Sequence, residues 1–198
     1  DYGTYKQVMY VYNTLLTVFT LGLPKAYSYF LPKFEDKYSR EIINKITRLF
    51  WILGIAFSLL LFFCSQPISK LLGNPDLSEA LRYFAVVPLF MLPTMGLDSI
   101  CASFQRTQIL AIYTVITKVF TILCITLPVI VWKGNYIQAI IGFDIASAIS
   151  CCLALYIKNK LTYSGDNCSS PLTLKEIFAF SLPLLYAPLW GMIISSST

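Results

Sequence analysis

Histidine is absent from the sequence. That removes the commonest metal ligand and the usual proton shuttle of neutral-pH chemistry. Charge is scarce as well: 13% of residues are Asp, Glu, Lys or Arg, against about 25% in a soluble domain. No Gly-rich phosphate loop, no nucleophile–base–acid set and no clustered carboxylate pair occurs, so no enzymatic activity, cofactor or metal is expected. Basic residues are not gathered into a patch interleaved with aromatics, which argues against nucleic-acid binding. Of six cysteines, Cys64, Cys101, Cys124, Cys151 and Cys152 lie in apolar runs and only Cys168 in a polar loop. No spacing among them suggests a metal site or a disulfide framework, and they read as small packing residues. An initiator Met and a signal peptide are lacking, and Met192–Thr198 ends at the edge of an apolar run, so an internal fragment of a longer protein is expected.

Apolar residues are abundant. They make up 57% of the chain, and the mean hydropathy is +0.67. The runs are too long and too continuous for the short alternating strands of a membrane barrel. They predict an all-α, polytopic transmembrane helical bundle with six helices. The runs are Val8–Leu31, Leu49–Cys64 with Ser65–Leu72 as an extension, Leu81–Phe104, Ile109–Trp132, Tyr136–Tyr156 and Phe178–Ile194. The fourth and fifth are joined by Lys133, Gly134 and Asn135 alone, so they must be antiparallel neighbours, each long enough to cross a hydrocarbon core of about 30 Å. Ser39 starts an amphipathic stretch with Ile42, Ile43, Ile46 and Phe50 on one face and the Glu41/Lys45 pair on another, which predicts an interfacial helix. Pro and Gly interrupt the first, third and sixth runs. These are either bending points for alternating access or ordinary tolerated breaks.

Four ionisable residues fall inside the runs: Lys25, Asp98, Lys118 and Asp144. An intramembrane charge is a functional-site candidate by default. Lys118 and Asp144 sit roughly 12–15 Å deep from opposite ends of the antiparallel hairpin, which makes them candidate partners. Lys25 and Asp98 both sit ~25 Å along their runs and form a second candidate pair. The alternatives stay open: snorkelling for Lys25, a solvated helix end for Asp98, and a structural ion pair for Lys118 and Asp144.

Lys and Arg in the loops are biased. Lys6, Lys70, Arg82 and Lys133 fall on one side, and Lys33, Lys37, Arg40, Lys45, Arg48, Arg106, Lys158, Lys160 and Lys175 on the other. The positive-inside rule places loops 33–48 and 158–175 in the cytoplasm. Tyr10, Tyr12, Trp132 and Tyr136 are then expected at the outer interface, and Tyr29, Trp51, Tyr113 and Tyr156 at the inner one.

Three stretches, in this order, resemble one family. They are Tyr2-Gly3-Thr4-Tyr5 followed by Leu21-Gly22-Leu23 and the basic segment Lys33–Arg48; Phe104–Ile122; and Leu172–Met192 with Ser181–Leu184 at its centre. Together they are similar to helix two, the turn between helices four and five, and the start of helix seven of the polysaccharide (O-antigen and capsule repeat-unit) flippases. These belong to the multidrug/oligosaccharidyl-lipid/polysaccharide exporter superfamily. The resemblance implies a fragment of a two-lobe transporter, with residues 1–171 forming most of the N-terminal lobe and 172–198 starting the second. It implies a bacterial inner (plasma) membrane protein. Its substrate would be an undecaprenyl-pyrophosphate-linked glycan carried between leaflets by rocking of the lobes. The implied partners are this lipid-linked glycan, membrane lipids and, beyond them, a polysaccharide polymerase and other assembly proteins. Lys25 and Lys118 suit an anionic pyrophosphate as flexible point charges. Two other readings compete: a cation-coupled multidrug antiporter of the same superfamily, which would draw on Asp98 and Asp144, and a non-transporting membrane assembly protein.

Overall fold

In a computed structural model of the protein, residues 2–34, 36–131, 136–162 and 172–196 are described. Their order is α1 (Tyr2–Phe19), α2 (Leu23–Lys33), a 3-10 turn at Asp36–Tyr38, α3 (Ser39–Leu71), α4 (Asp76–Phe84), α5 (Val87–Thr94), α6 (Leu97–Ser103), α7 (Thr107–Val131), α8 (Tyr136–Leu161) and α9 (Leu174–Ser196). No strand occurs among the described residues. The fold is an all-α membrane bundle. The joint at 132–135 and the loop at 163–171, with Cys168, lie outside the described residues.

The predicted runs appear, but with different limits. Among the described residues three helices are long and apolar enough to cross a membrane: Ser39–Leu71, Thr107–Pro128 and Ile137–Leu161. A fourth span exists if Asp76–Phe84 and Val87–Ser103, bent by 44°, count as one. Among the described residues, length and composition alone thus support three or four of the expected six runs as spans. The first run is split, because Leu21 and Gly22 both adopt left-handed backbone (φ 48° and 67°) and end α1. The third run breaks at Gly96, also left-handed with φ 76°. The sixth does not break, since α9 continues through Pro183.

The expected interfacial helix is also corrected. Ser39–Phe50 is the first part of α3 itself, and Ile42, Ile43, Ile46 and Phe50 are buried. That apolar face packs on protein rather than on headgroups. Tyr12, expected at an interface, is 3% exposed. Its ring stacks on Phe57 (centroids 5.8 Å) and meets Phe84 edge-on (5.1 Å). Phe84 in turn stacks on Phe143 of α8, so one aromatic column joins α1, α3, α4 and α8. Such pairs contribute about 0.5–1.5 kcal/mol each beyond burial.

Polar side chains fasten the ends of the bundle. At one end, the Asn74 amide donates to Thr4 Oγ1 (3.2 Å) and Gln7 Oε1 (2.7 Å), fixing the α3–α4 turn to the start of α1. At another point Lys45 pairs with Glu41 (2.9 Å) and donates to the Leu172 carbonyl (3.1 Å). The start of α3 and the chain entering α9 therefore lie at the same end of the bundle. A reciprocal capping box then opens α9: the Thr173 N–H donates to Glu176 Oε2, and the Glu176 N–H donates to Thr173 Oγ1. It satisfies two of the donors that any helix start leaves unpaired.

Helices α7 and α8 pack along their length. They come close at Gly142, where a Cβ would run into the Cys124 carbonyl. Helix backbone cannot yield locally the way a side-chain tip can. Gly142→Ala should therefore force the helices apart and lower the stability of the purified protein by about 1–3 kcal/mol, the usual cost of overpacking. Thermal unfolding followed by size-exclusion recovery measures this, and an unchanged midpoint would mean that the two helices are not in close contact.

Candidate functional site: broken helices and intramembrane charges

A left-handed glycine creates a local problem inside a bundle. Beyond it the helix restarts, and the carbonyls at the end of the preceding segment lose their N–H partners. Helix α5 ends at Thr94 and is capped by Met95; α6 restarts after Gly96. A side chain from a different helix meets the freed carbonyls. Lys158 of α8 is 3% exposed, and its ammonium donates to the Pro93 carbonyl at 2.7 Å and the Met95 carbonyl at 3.3 Å. Its third proton faces the Tyr27 hydroxyl at 3.5 Å, with the Tyr27 ring 5.2 Å away. Three donors thus meet three acceptors. The cation also sits at the negative pole of α5, which favours it further. Among the described residues Lys158 forms no ion pair.

Tyr27 brings in two more elements. Its hydroxyl shares a hydrogen bond with Thr47 of α3 at 3.0 Å. Its ring fills the space where a Cβ on Gly96 would stand, and the Cα of Pro24 lies 3.5 Å from that same position. The α1–α2 break at Gly22 is therefore linked to the α5–α6 break by the first turn of α2. Helix α9 closes the far side of Gly22. A Cβ there would lie 3.0 Å from both Leu184 Cβ and the Ser181 carbonyl. Four helices thus bear on two breaks, and the organising cation is one that charge counting had assigned to a cytoplasmic loop. Residues 158–161 are helical, so Lys158 drops out of the loop charge count. A periodicity signal was available: 144, 147, 151, 154 and 158 share one helical face, and Ser147, Cys151 and Ala154 are buried.

The four candidate charges are placed differently from the expected pairs. Lys118 is exposed on α7 and makes no ion pair with Asp144. Asp144 is half-buried on α8, with its Oδ1 buried and without a partner among the described residues. Lys25 and Asp98 are both exposed, near the starts of α2 and α6. These two helices pack together, yet Lys25 and Asp98 form no ion pair.

Lys118 does have company. Thr114, Thr117 and Thr121 lie on the same side of α7, at helical spacing. Their hydroxyls donate to the backbone carbonyls of Leu110, Tyr113 and Thr117. Such back-bonding satisfies a hydroxyl within its own helix. The opposite side is apolar and exposed, with Ile112, Val115, Val119 and Ile122. A third side faces α8, where the Tyr113 hydroxyl donates to the Ser150 carbonyl at 3.2 Å. On that side an open apolar cleft of about 590 Å³ is lined by Phe120, Leu127, Pro128 and Ile141 among others. A charged stripe on a spanning helix belongs against water or protein, not lipid. Helix α1 carries a second exposed polar line, Tyr10, Asn13 and Thr14, and it is not among the helices apolar enough to span. No group of three or more potential metal ligands occurs among the described residues.

The geometry separates two kinds of charge, and a double-mutant cycle measures the difference. Lys118→Ala and Asp144→Ala should be additive in thermal stability to within about 0.5 kcal/mol, as expected for side chains that share no partner. Lys158→Ala and Tyr27→Phe should couple by about 0.5–3 kcal/mol, because they belong to one network. Strong coupling in the first pair would restore the ion pair that the structure lacks.

A search of curated proteins found no match, and neither did a search of solved structures. A protein family did match: residues 1–197 fit the family described as polysaccharide biosynthesis protein. With almost the whole length matched, the chain belongs to the polysaccharide biosynthesis protein family of membrane proteins.

Proposed function

We propose that this chain is part of a flippase that moves a lipid-linked oligosaccharide, an undecaprenyl-pyrophosphate-linked repeat unit, across a bacterial inner membrane by alternating access. One observation carries the reading: Lys118 and Thr114 stand exposed, beside half-buried Thr117 and Thr121, on a helix otherwise apolar enough to span a bilayer. Family membership supports a polysaccharide-related cargo. A glycan is polar and its pyrophosphate anionic, so neither crosses hydrocarbon unaided. A water-filled cavity with hydroxyls for the sugar and a lysine for the phosphate answers both needs. On this reading Lys118 and Lys25 meet the pyrophosphate as flexible point charges, while Asp98 and Asp144 line the same cavity.

The two breaks support the alternating-access part. Discontinuous helices are what transporters use where a bundle must bend around a central site. Residues 1–171 form most of one lobe on this reading, and 172–198 begin the other. The packing of Ser181 and Leu184 on the Gly22 break is then a contact between the second lobe and a hinge of the first.

Deleting the gene in its own host should leave lipid-linked repeat units on the cytoplasmic face and remove surface polysaccharide. Lys118→Arg should retain part of the surface polysaccharide and Lys118→Ala much less, with similar protein levels in both, since an exposed side chain contributes little to folding. Surface polysaccharide is read by immunoblot or carbohydrate staining. An unchanged surface together with new sensitivity to cationic dyes would overturn the flippase reading in favour of the multidrug antiporter.

A further inference from the structure

A buried lysine ordinarily rests on a carboxylate. Lys158 rests instead on neutral acceptors, two of them backbone carbonyls released by the Gly96 break. Those carbonyls belong to α5, the ammonium to α8 and the phenol to α2, and the phenol is held in turn by Thr47 of α3. The contact is polar and specific, and it lies across a break between two short helices. The segment beyond that break, α6, is only seven residues long. It is pinned at its start by Lys158 and Tyr27, and one turn later by Cys101, which packs with Ala154 of α8. Asp98, in its first turn, is exposed and makes no hydrogen bond or ion pair among the described residues.

We propose that Lys158 is a clasp: it holds the α5–α6 break shut against α2 and α8, and it opens during the transport cycle. The second half of this inference rests on the flippase reading; the first half does not. Two arrangements are available to the ammonium. Closed, it serves the Pro93 and Met95 carbonyls and the Tyr27 hydroxyl. Open, α6 swings from α8 and the ammonium is hydrated or meets Asp98, the acidic group carried on the moving segment. A switch needs two states whose contacts differ in this way. Neutral acceptors suit the closed state, since a carboxylate in their place would form a buried ion pair that is costly to break. The same clasp bears on the other break, because Tyr27 and Pro24 lie against Gly96. Opening α6 therefore frees the first turn of α2, and through Gly22 the contact with α9.

Cys101 reports the opening. It is fully buried between α6 and α8, whereas Cys152 on α8 is exposed and serves as an internal control. N-ethylmaleimide labelling of the full-length protein in native membranes, resolved by peptide mass spectrometry, gives a rate for each. In Lys158→Met the charge and its hydrogen bonds are lost without leaving a large cavity. Its Cys101 rate should rise about tenfold or more, as loss of charge-assisted hydrogen bonds implies, while the Cys152 rate stays unchanged. An unchanged Cys101 rate in Lys158→Met that elutes as a single species overturns the clasp. If Lys158→Met does not accumulate, Tyr27→Phe decides. It removes one acceptor and the Thr47 link, and it should raise the Cys101 rate roughly two- to threefold; no rise overturns the clasp. In the wild-type protein, Cys101 should label faster in membranes that make lipid-linked glycan than in membranes that make none. Equal rates there would overturn the link to transport while the Lys158 dependence still stands, so the two failures are told apart.

Discussion

A helix that stops inside a bundle leaves carbonyls with nothing to accept, and hydrocarbon supplies no water to satisfy them. The fold depends on how that deficit at Pro93 and Met95 is met. An ammonium on α8 reaches across and takes both carbonyls, and Tyr27 and Thr47 hold the far side of the same group. Without this contact the α5–α6 break would have to find water or close up. Closing up is prevented by Gly96, whose left-handed backbone has the Tyr27 ring packed into the space of its missing side chain.

The same economy governs the rest of the bundle. Polar groups in the apolar part are met locally: the α7 threonines bond their own helix, and Tyr113 finds a carbonyl on α8. Polar groups at the bundle ends tie elements distant in sequence, as Asn74 does with Thr4 and Gln7, and Lys45 with Leu172. Among the described residues, Lys118 and Asp144 form no ion pair with each other. The Asp144 Oδ1 is buried without a partner, and it is not alone in this: among the described residues the Tyr12 hydroxyl, the Gln138 Oε1 and the Ser181 hydroxyl are also buried without a partner.

Much of the fold was legible before any coordinates. Continuous apolar runs longer than a bilayer core permit only helices, because each backbone group must be satisfied within its own segment. The three-residue joint between the fourth and fifth runs made them neighbours, and α7 and α8 do pack along their length. Gly22 and Gly96 were visible as interruptions, though nothing local distinguished them from Pro183, through which α9 runs unbroken. Ile42, Ile43, Ile46 and Phe50 were visible as an apolar face. Whether such a face meets headgroups or protein is not a property of the face, and here it meets protein.

The candidate site was legible only as a list of charges. Depth along a run can be counted in residues, so Lys25, Asp98, Lys118 and Asp144 were found. Pairing depends on rotation about each helix axis and on which faces pack, and those follow from contacts such as Gly142 against Cys124 and the aromatic column through Tyr12 and Phe84. Lys158 was misplaced for the same reason. Beside Lys160 and Asn159 at the end of an apolar run it has the local signature of a loop charge, and only the approach of Pro93 and Met95, sixty-odd residues earlier, turns it into a buried donor. The sequence by itself determined the helical class and the inventory of intramembrane charges, because these rest on hydrogen bonding and hydropathy within a segment. The tertiary structure alone decided which charges are satisfied and which stand open, because a hydrogen bond between distant segments exists only once packing has brought donor and acceptor within about 3 Å.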